Sequence, residues 1–248
     1  MLKISNLTFS YGENIILNNL NHSFEENKIY CIMGTNGSGK STLFNLISGF
    51  LTPSNGKIVL KKGIEEKDTT KMNPYQVSNI GISRTFQDLR LIPSISVKDN
   101  IYLAIKNKKT EKIYNSFLPK KLFTKENKIL EEKITNLLKK TNLFDVKDNL
   151  AEDISYGQQK LLNLAQAMTN DFDLLLLDEP VAGVQPKFRE DIIKIIKSLN
   201  KTVICIEHNI EFIEQLSTNI LFLHSGKILA KGDINDIKNN KTVQKAYL

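Results

Sequence analysis

The sequence predicts an α/β protein with a mostly parallel β-sheet, an antiparallel β region at the start of the chain and a helical insert in the middle. Three apolar runs, at residues 29–33, 174–177 and 202–206, have the continuous apolar character of buried strands. Residues 2–24 alternate between apolar and polar, which is typical of half-buried antiparallel strands. Residues 97–143 repeat apolar side chains at helical spacing, which predicts the insert.

Length and composition are those of a globular protein. A chain of 248 residues suffices for one large domain or for a domain with an inserted subdomain. Its 41% hydrophobic and 25% charged residues are ordinary values. No apolar run approaches the roughly 18 residues of a membrane span, and residues 1–5 lack the long apolar stretch of a signal peptide. We therefore expect a protein that stays in the cytoplasm.

The net charge of +7 suits either nucleic acid or an anionic membrane surface. Much of the excess lies in residues 106–140, where lysines mix with glutamates and no base-stacking pattern of interleaved aromatic residues occurs. We interpret this segment as a solvated helical face and expect no nucleic-acid partner. Cys31 and Cys205 lie in buried strands and are expected to be packing thiols rather than a disulfide or a metal pair.

The first element along the chain is a β-hairpin. Its strands are expected at residues 2–10 and 15–24, around a turn that contains Tyr11 and Gly12. Tyr11 taken alone would be an ordinary hairpin aromatic.

The second element is a strand at residues 28–33, followed by a glycine-rich loop and a helix at residues 41–50. The loop matches the pattern GxxxxGK[ST] at residues 34–42, in the strand, loop and helix context that this pattern requires. Its glycines let backbone N–H groups point inward as an anion nest at the positive end of the helix. We therefore predict that the triphosphate of a nucleotide binds to Gly34, Asn36, Gly37, Ser38, Gly39, Lys40, Ser41 and Thr42.

Three side chains of this loop have distinct chemical roles. Lys40 would reach the β and γ phosphates, and the Ser41 hydroxyl would bind Mg²⁺. Thr42 would cap the helix or contact the α phosphate.

The middle of the chain changes from strands to helices. A turn at residues 52–56 precedes a short strand at 57–60, and a further strand is expected at 80–85. After the helical insert, a helix is expected at residues 157–168.

A second chemical signal follows the buried strand at residues 174–177. That strand ends in Asp178 and Glu179, and ligands of parallel α/β sheets bind beyond the carboxyl ends of the strands. Both acids should therefore face the same crevice as the phosphate loop. Asp178 is placed to hold Mg²⁺, and Glu179 to polarise a water for attack on the γ phosphate. The remaining elements are a helix at 187–199, a strand at 202–207 and a hairpin at 220–230.

A third signal precedes the acidic pair by about twenty residues and consists of Ile154, Ser155, Tyr156, Gly157, Gln158 and Gln159. With this segment the chain resembles the ATP-binding subunits of ATP-binding cassette (ABC) transporters. The resemblance covers the whole chain. Tyr11 matches the aromatic residue that stacks on adenine, Gln87 the Q-loop glutamine and His208 the switch histidine. The resemblance implies that Gln87 contacts Mg²⁺ and water, and that His208 contacts the γ phosphate or the attacking water.

The resemblance also implies a fold and an assembly. The fold would be a P-loop NTPase (RecA-like) core, residues 1–86 and 157–248, with an N-terminal antiparallel β subdomain. Residues 87–156 would form the inserted α-helical subdomain with the Q-loop and the signature. Two such subunits would pair head to tail and bury two ATP molecules. Ser155, Gly157 and Gln158 of each signature would then face the γ phosphate bound to the other subunit.

Two positions depart from the family pattern. Tyr156 replaces the commonest glycine of the signature, and Gln185 stands where the D-loop has its usual aspartate. These departures, together with residues 82–87 and 243–248, resemble the ATPases of branched-chain amino acid importers. The resemblance is greatest to the longer of their two ATPase subunits, which carries an insert like residues 107–125.

Other functions remain open at this stage. Importers of urea or short amides share much of the pattern, and lipid or lipopolysaccharide exporters have subunits of similar size. A soluble ABC ATPase without a transport role is the alternative from a different class. The importer interpretation places the chain at the cytoplasmic face of the cell membrane. Its partners would be integral membrane permease subunits, a second ATPase subunit in a homodimer or heterodimer and, indirectly, an extracytoplasmic substrate-binding protein.

Residues 87–100 have two interpretations. They form either the groove that receives a coupling helix of the permease or the internal core of the helical subdomain. The apolar residues concerned are Leu89, Leu91, Ile92 and Ile95.

Overall fold

The computed structural model describes residues 1–106 and 124–247 of the chain. The chain divides into two compact units. The first comprises Met1–Gln87, Phe172–Ala182 and Ile196–Leu248, and the second Asp88–Asp171 and Gly183–Ile195. The division of the domains at residues 87 and 156 stays a prediction. Most of the insert at residues 107–125 lies outside the described residues.

The first unit contains two β-sheets in the described part of the chain. Their strands are β1 (Leu2–Tyr11), β2 (Asn14–Phe24), β3 (Ile29–Gly34), β4 (Asn55–Lys62), β5 (Glu65–Asp68), β6 (Ile82–Arg84), β7 (Leu174–Asp178), β8 (Thr202–Ile206), β9 (Asn219–His224) and β10 (Lys227–Gly232). The four-stranded sheet has the order β2-β1-β4-β5 and is antiparallel. The six-stranded sheet has the order β10-β9-β3-β8-β7-β6.

The six-stranded sheet positions the chemistry. All of its pairs are parallel except the β9–β10 pair. Ile32 pairs with Ile206 between β3 and β8, and Asp178 pairs with Ile206 between β7 and β8. The carboxyl ends of these three central strands therefore lie at one edge of the sheet, where ligands bind in folds of this kind.

The helices of the chain are short to medium in length. Those of the first unit are α1 (Lys40–Ile47), α2 (Pro74–Asn79), α7 (Ile210–Leu216), α8 (Ile234–Asn239) and α9 (Lys241–Tyr247). The second unit holds α3 (Val97–Ala104), α4 (Thr124–Lys140), α5 (Tyr156–Ala167) and most of α6 (Pro186–Lys197). A 3-10 helix spans Phe144–Val146.

One apolar core connects both sheets of the first unit. Leu7, Leu17 and Phe24 of the hairpin and Phe44 of α1 are buried in the same cluster as Leu176 of β7. This core anchors α1 against the sheets, and the loop before α1 is thereby held at the edge described above.

Candidate active site

The phosphate loop joins the end of β3 to the start of α1. Gly39 has a φ of +102°, and a Cβ there would lie 2.7 Å from Cδ2 of Leu17, so only glycine fits. The α1 N-terminus has neither a side-chain cap nor an acidic residue in its first turn. Its backbone amides are therefore available to an anion.

Lys40 lies within this loop. Its ammonium donates to the carbonyl oxygens of Gly34, at 3.0 Å, and Thr35, at 2.9 Å. Burial lowers the pKa of Lys40, and the nearby charges of Glu179 and Asp178 oppose that shift. A cation in this partly desolvated position attracts phosphate more strongly than one in water does.

The other loop residues also suit a phosphate ligand. The hydroxyl oxygen of Ser38 is buried and has no hydrogen-bond partner among the described residues. A buried polar atom of this kind normally has a partner, and a phosphate oxygen would supply one. Asn36, Gly37 and Ser41 are exposed and Thr42 is half-buried, so a ligand can reach them.

Asp178 is the last residue of β7 and is only 5% exposed. Its carboxylate accepts from the guanidinium of Arg84 at 3.1 Å, and its backbone N–H donates to the Thr85 hydroxyl. These contacts hold a hard oxygen donor at the edge where the phosphate loop begins.

The described residues contain no cluster of three His, Cys, Asp or Glu side chains that could hold a metal ion. Mg²⁺ does not need one, because it binds through one or two protein oxygens together with phosphate oxygens and water. The oxygens of Asp178, Ser41 and Gln87 are of the right chemical type. These residues fit Mg²⁺ that arrives with a nucleotide.

Glu179 is the meeting point of the three residues predicted to be catalytic. Gln87 donates through Nε2 to its Oε2 at 3.1 Å, and Nε2 of His208 lies 3.7 Å from its Oε1. Glu179 has a φ of +47°, a left-handed conformation that is uncommon and costly for a residue with a side chain. The structure thus brings Gln87, Glu179 and His208 together around one strained residue.

Tyr11 lies at the end of the N-terminal hairpin and is 55% exposed. Its ring packs edge to face on Phe9, with 4.9 Å between ring centroids. Phe9 pairs with Leu17, the residue that faces Gly39 of the phosphate loop. The exposed ring therefore belongs to the hairpin end that adjoins the loop.

The signature residues lie in the second unit, at the start of α5. Ser155 is the N-cap, and its hydroxyl accepts from the Gln158 N–H while the Gln158 side chain accepts from the Ser155 N–H. This reciprocal capping box anchors the helix start. A Cβ on Gly157 would lie 2.3 Å from the Phe188 ring, which explains the glycine by packing alone.

Arg84 is a site residue that the sequence analysis did not identify. Besides Asp178, its guanidinium donates to Asn45 at 2.7 Å and to Ser48 at 2.8 Å. It also lies 4.9 Å from the centre of the Phe86 ring, a cation–π contact. Its residue type in a predicted strand was the only available signal, because every partner named here except Phe86 is distant in sequence.

Comparison with known proteins places the chain. The family model described as ABC transporter matches residues 17–182. A probable branched-chain amino acid transport ATP-binding protein LivG from Archaeoglobus fulgidus is 33% identical, over 100% of this chain and 95% of that protein. The high-affinity branched-chain amino acid transport ATP-binding protein BraF of Pseudomonas aeruginosa is 30% identical over 100% and 97%.

Solved structures of ATP-binding cassettes are also similar to this chain. A nucleotide-free ATP-binding cassette from an ABC transporter is 30% identical, with a TM-score of 0.84 over 100% of this chain and 98% of the other. A dimeric post-hydrolysis ATP-binding cassette bound to ADP and Pi is 25% identical, with a TM-score of 0.75 over 94% and 99%.

The chain belongs to the ABC transporter family. It is an ATP-binding subunit of that family and an ATPase, and the predicted P-loop NTPase fold is confirmed. Within the described residues, no helix has the length and apolar composition needed to cross a bilayer.

Proposed function

We propose that this chain hydrolyses MgATP with Glu179 as the general base. The observation that carries the proposal is the convergence of Gln87 and His208 on the Glu179 carboxylate beyond the end of β7. The carboxylate takes a proton from a water that attacks the γ phosphorus, and the β–γ phosphoanhydride bond breaks to release ADP and phosphate. Gln87 and His208 orient that water, and His208 also contacts the γ phosphate.

The phosphate loop binds the nucleotide. Lys40 neutralises the β and γ phosphates, the N–H groups around Gly37 and Gly39 donate to their oxygens, and Tyr11 stacks on the adenine ring. Ser41, Asp178 and Gln87 would hold Mg²⁺, and the bound ion would neutralise negative charge on the phosphate oxygens.

The signature of one subunit acts at the ATP site of a second subunit. Ser155, Gly157 and Gln158 lie at the start of α5, where the positive end of the helix dipole favours an anion. We propose that these residues meet the γ phosphate on a partner ATPase subunit, identical to this chain or different from it. The dimeric form of the similar cassette bound to ADP and Pi supports such pairing.

Transport is the process that we propose this hydrolysis to power. The names of the similar proteins support the import of branched-chain amino acids or a similar small polar solute. The chain would act at the cytoplasmic face of the membrane with permease subunits and, indirectly, a substrate-binding protein. Leu89, Leu91 and Ile95 are only partly buried and Ile92 is 44% exposed, which favours the docking groove over an internal core.

Glu179→Gln tests the catalytic proposal, because the amide retains the size and hydrogen bonding of the side chain but cannot act as the base. ATP turnover should fall by about 100-fold or more, while ATP affinity stays within about threefold. Glu190→Gln, at an exposed position of α6, is the matched control and should retain full turnover. Turnover by Glu179→Gln at the parent rate would exclude Glu179 as the base.

Affinity capture tests the transport proposal. Tagged chain is purified from detergent-solubilised membranes of its own organism, and its partners are identified by mass spectrometry. Polytopic permease subunits are the expected result. Recovery only from the soluble fraction, with ribosomes or nucleic acid, would exclude the transport role and leave the ATPase intact.

A further inference from the structure

Glu207 is a buried carboxylate that the site described above does not use. It directly follows β8 and is 3% exposed. A buried carboxylate is costly unless hydrogen bonds or cations compensate for its lost hydration. Within the described residues, no cationic side chain lies in ion-pair distance of Glu207, so backbone amides provide the compensation.

Three backbone N–H groups donate to this carboxylate. Oε1 accepts from Val181 at 3.0 Å. Oε2 accepts from His208 at 2.8 Å and from Asn209 at 3.2 Å. The two oxygens thus bind two different segments, one that follows β7 and one that follows β8.

Each of these segments contains a residue with a proposed role in catalysis: Glu179 lies in the first and His208 in the second. Val181 lies two residues after Glu179, whose N–H donates to the carbonyl of Ile206 at 3.0 Å. The left-handed turn at Glu179 is therefore held on one side by Ile206, the last residue of β8, and on the other by Glu207, which follows it. Such a strained conformation persists only where its surroundings determine it.

We propose that Glu207 is a positioning residue that fixes the Glu179 carboxylate relative to the His208 imidazole. This one carboxylate binds the backbone of both segments, so movement of either segment breaks a hydrogen bond to a buried carboxylate. The inference rests on the proposed roles of Glu179 and His208. It adds that Glu207 keeps Oε1 of Glu179 and Nε2 of His208 at their separation of 3.7 Å.

Glu207→Gln is the test variant. Its amide has a single acceptor oxygen, and its NH₂ group would face an N–H donor of the other segment. We expect kcat for ATP to fall about tenfold, with KM within about twofold, because the contacts of the phosphate loop with the nucleotide are unchanged. Asp233→Asn is the matched control. The Asp233 carboxylate accepts two backbone N–H groups at the start of α8, away from the site, so activity should not change.

Hydrogen exchange of the full chain gives a readout that does not depend on turnover. In Glu207→Gln, the amides of Val181, His208 and Asn209 should exchange about tenfold faster as a group. Faster exchange in only one of the two segments, or no change in either, would overturn the inference. The measurement remains informative if the variant is less stable, because the buried amides of β3 and β7 report global unfolding separately.

A double-mutant cycle with His208→Ala separates positioning from general destabilisation. If Glu207 acts through the placement of His208, the kcat loss of the double variant is smaller than the product of the two single losses. Multiplicative losses would contradict the inference. Its failure is distinct from that of the proposed function, because an inactive Glu179→Gln chain beside a fully active Glu207→Gln chain would retain the base and remove the positioning role.

Discussion

Burial of the Lys40 side chain disfavours folding but favours the binding of a nucleotide. The residue is 7% exposed, its ammonium lies among loop carbonyls, and burial lowers its pKa. The two loop carbonyls only partly compensate for the lost hydration of the cation. A triphosphate is a stronger partner than these carbonyls, so the free energy of desolvation is recovered when the nucleotide binds.

We expect Lys40→Ala to weaken ATP binding by about 10- to 100-fold, the worth of a hydrogen bond to a charged group. Nucleotide titration of the full chain measures this change. Lys28→Ala is the control, because the exposed Lys28 ammonium pairs only with Glu25 on the surface of the described structure. Equal ATP affinity in the parent and Lys40→Ala would contradict the assigned role of the loop.

His22 is a half-buried titratable residue that has no role in the proposed site. Its ring packs edge to face on Phe24 and Tyr30, and Nδ1 lies 3.1 Å from the Lys231 ammonium. Burial, with a further contribution from the Lys231 charge, lowers the pKa of His22 from 6.5 to about 4. The neutral ring is therefore favoured in the folded chain.

The sign of the pH effect follows. Because the folded pKa is depressed, the unfolded chain binds a proton at higher pH, and stability is lost as the pH falls from about 6.5 to about 4. The expected loss attributable to His22 is at most about 2 kcal/mol between pH 7 and pH 5. His22→Phe should flatten this part of the stability profile measured by urea unfolding at several pH values. An unchanged slope would show that His22 is not the responsible group.

Arg84 connects three elements of the first unit. From β6 it reaches Asn45 of α1, Ser48 at the C-cap of α1 and Asp178 of β7. The helix that begins at the phosphate loop and the strand that ends in the predicted magnesium ligand are thereby held by one guanidinium. Its planar group with several donors suits this task, whereas a lysine ammonium offers a single point of charge.

We expect Arg84→Ala to lower the free energy of unfolding by about 3–5 kcal/mol, because a buried carboxylate loses the cation beside it. Adding Asp178→Asn should restore part of this loss, since the amide is neutral. Denaturant unfolding measures both variants, and Lys28→Ala should unfold like the parent. If Asp178→Asn instead adds to the loss, the Arg84–Asp178 pair is not the source of the effect.

The sequence predicts the elements with strong local patterns and misses those without one. The apolar strands and the β1–β2 hairpin are confirmed. β5 was not predicted, because Glu65–Asp68 are all charged and exposed and the strand exists through its pairing with β4. The six-residue α2 was also missed. Its capping box of Asn73 and Gln76 was a usable signal, but its one buried residue gives no helical period.

The site follows the same division. Lys40, Asp178 and Glu179 were predictable because local motifs place Lys40 at the start of a helix and the two acids at the end of a strand. Arg84 and Glu207 were not, because contacts made only in the folded chain define what they do. The left-handed conformation of Glu179 has no local signature either, since glycine is the residue that normally indicates it.

At the scale of the whole molecule, the phosphate loop and the signature belong to different compact units. The α5 N-terminus at Ser155 is the positive end of a helix dipole, and the uncapped α1 N-terminus at the phosphate loop is another. ATP bound between two cassettes would satisfy both. ATP would then make all of its contacts only in the closed dimer. Its binding would therefore shift the population from monomer to dimer.

We expect Glu179→Gln chain to form a stable dimer with ATP, because hydrolysis no longer removes the γ phosphate. Light scattering after size-exclusion chromatography, with and without ATP, measures the molecular mass. The second substitution Ser155→Ala should abolish the dimer, since it removes the signature hydroxyl and weakens the α5 cap. Asn73→Ala is the matched control, because it removes an equivalent capping box from α2 and should leave the dimer intact. A chain that remains monomeric alone but pairs with a different ATPase subunit in ATP indicates a heterodimer. A chain that pairs with neither contradicts the head-to-tail arrangement, because a cassette that hydrolyses ATP without a partner does not need the signature at Ser155.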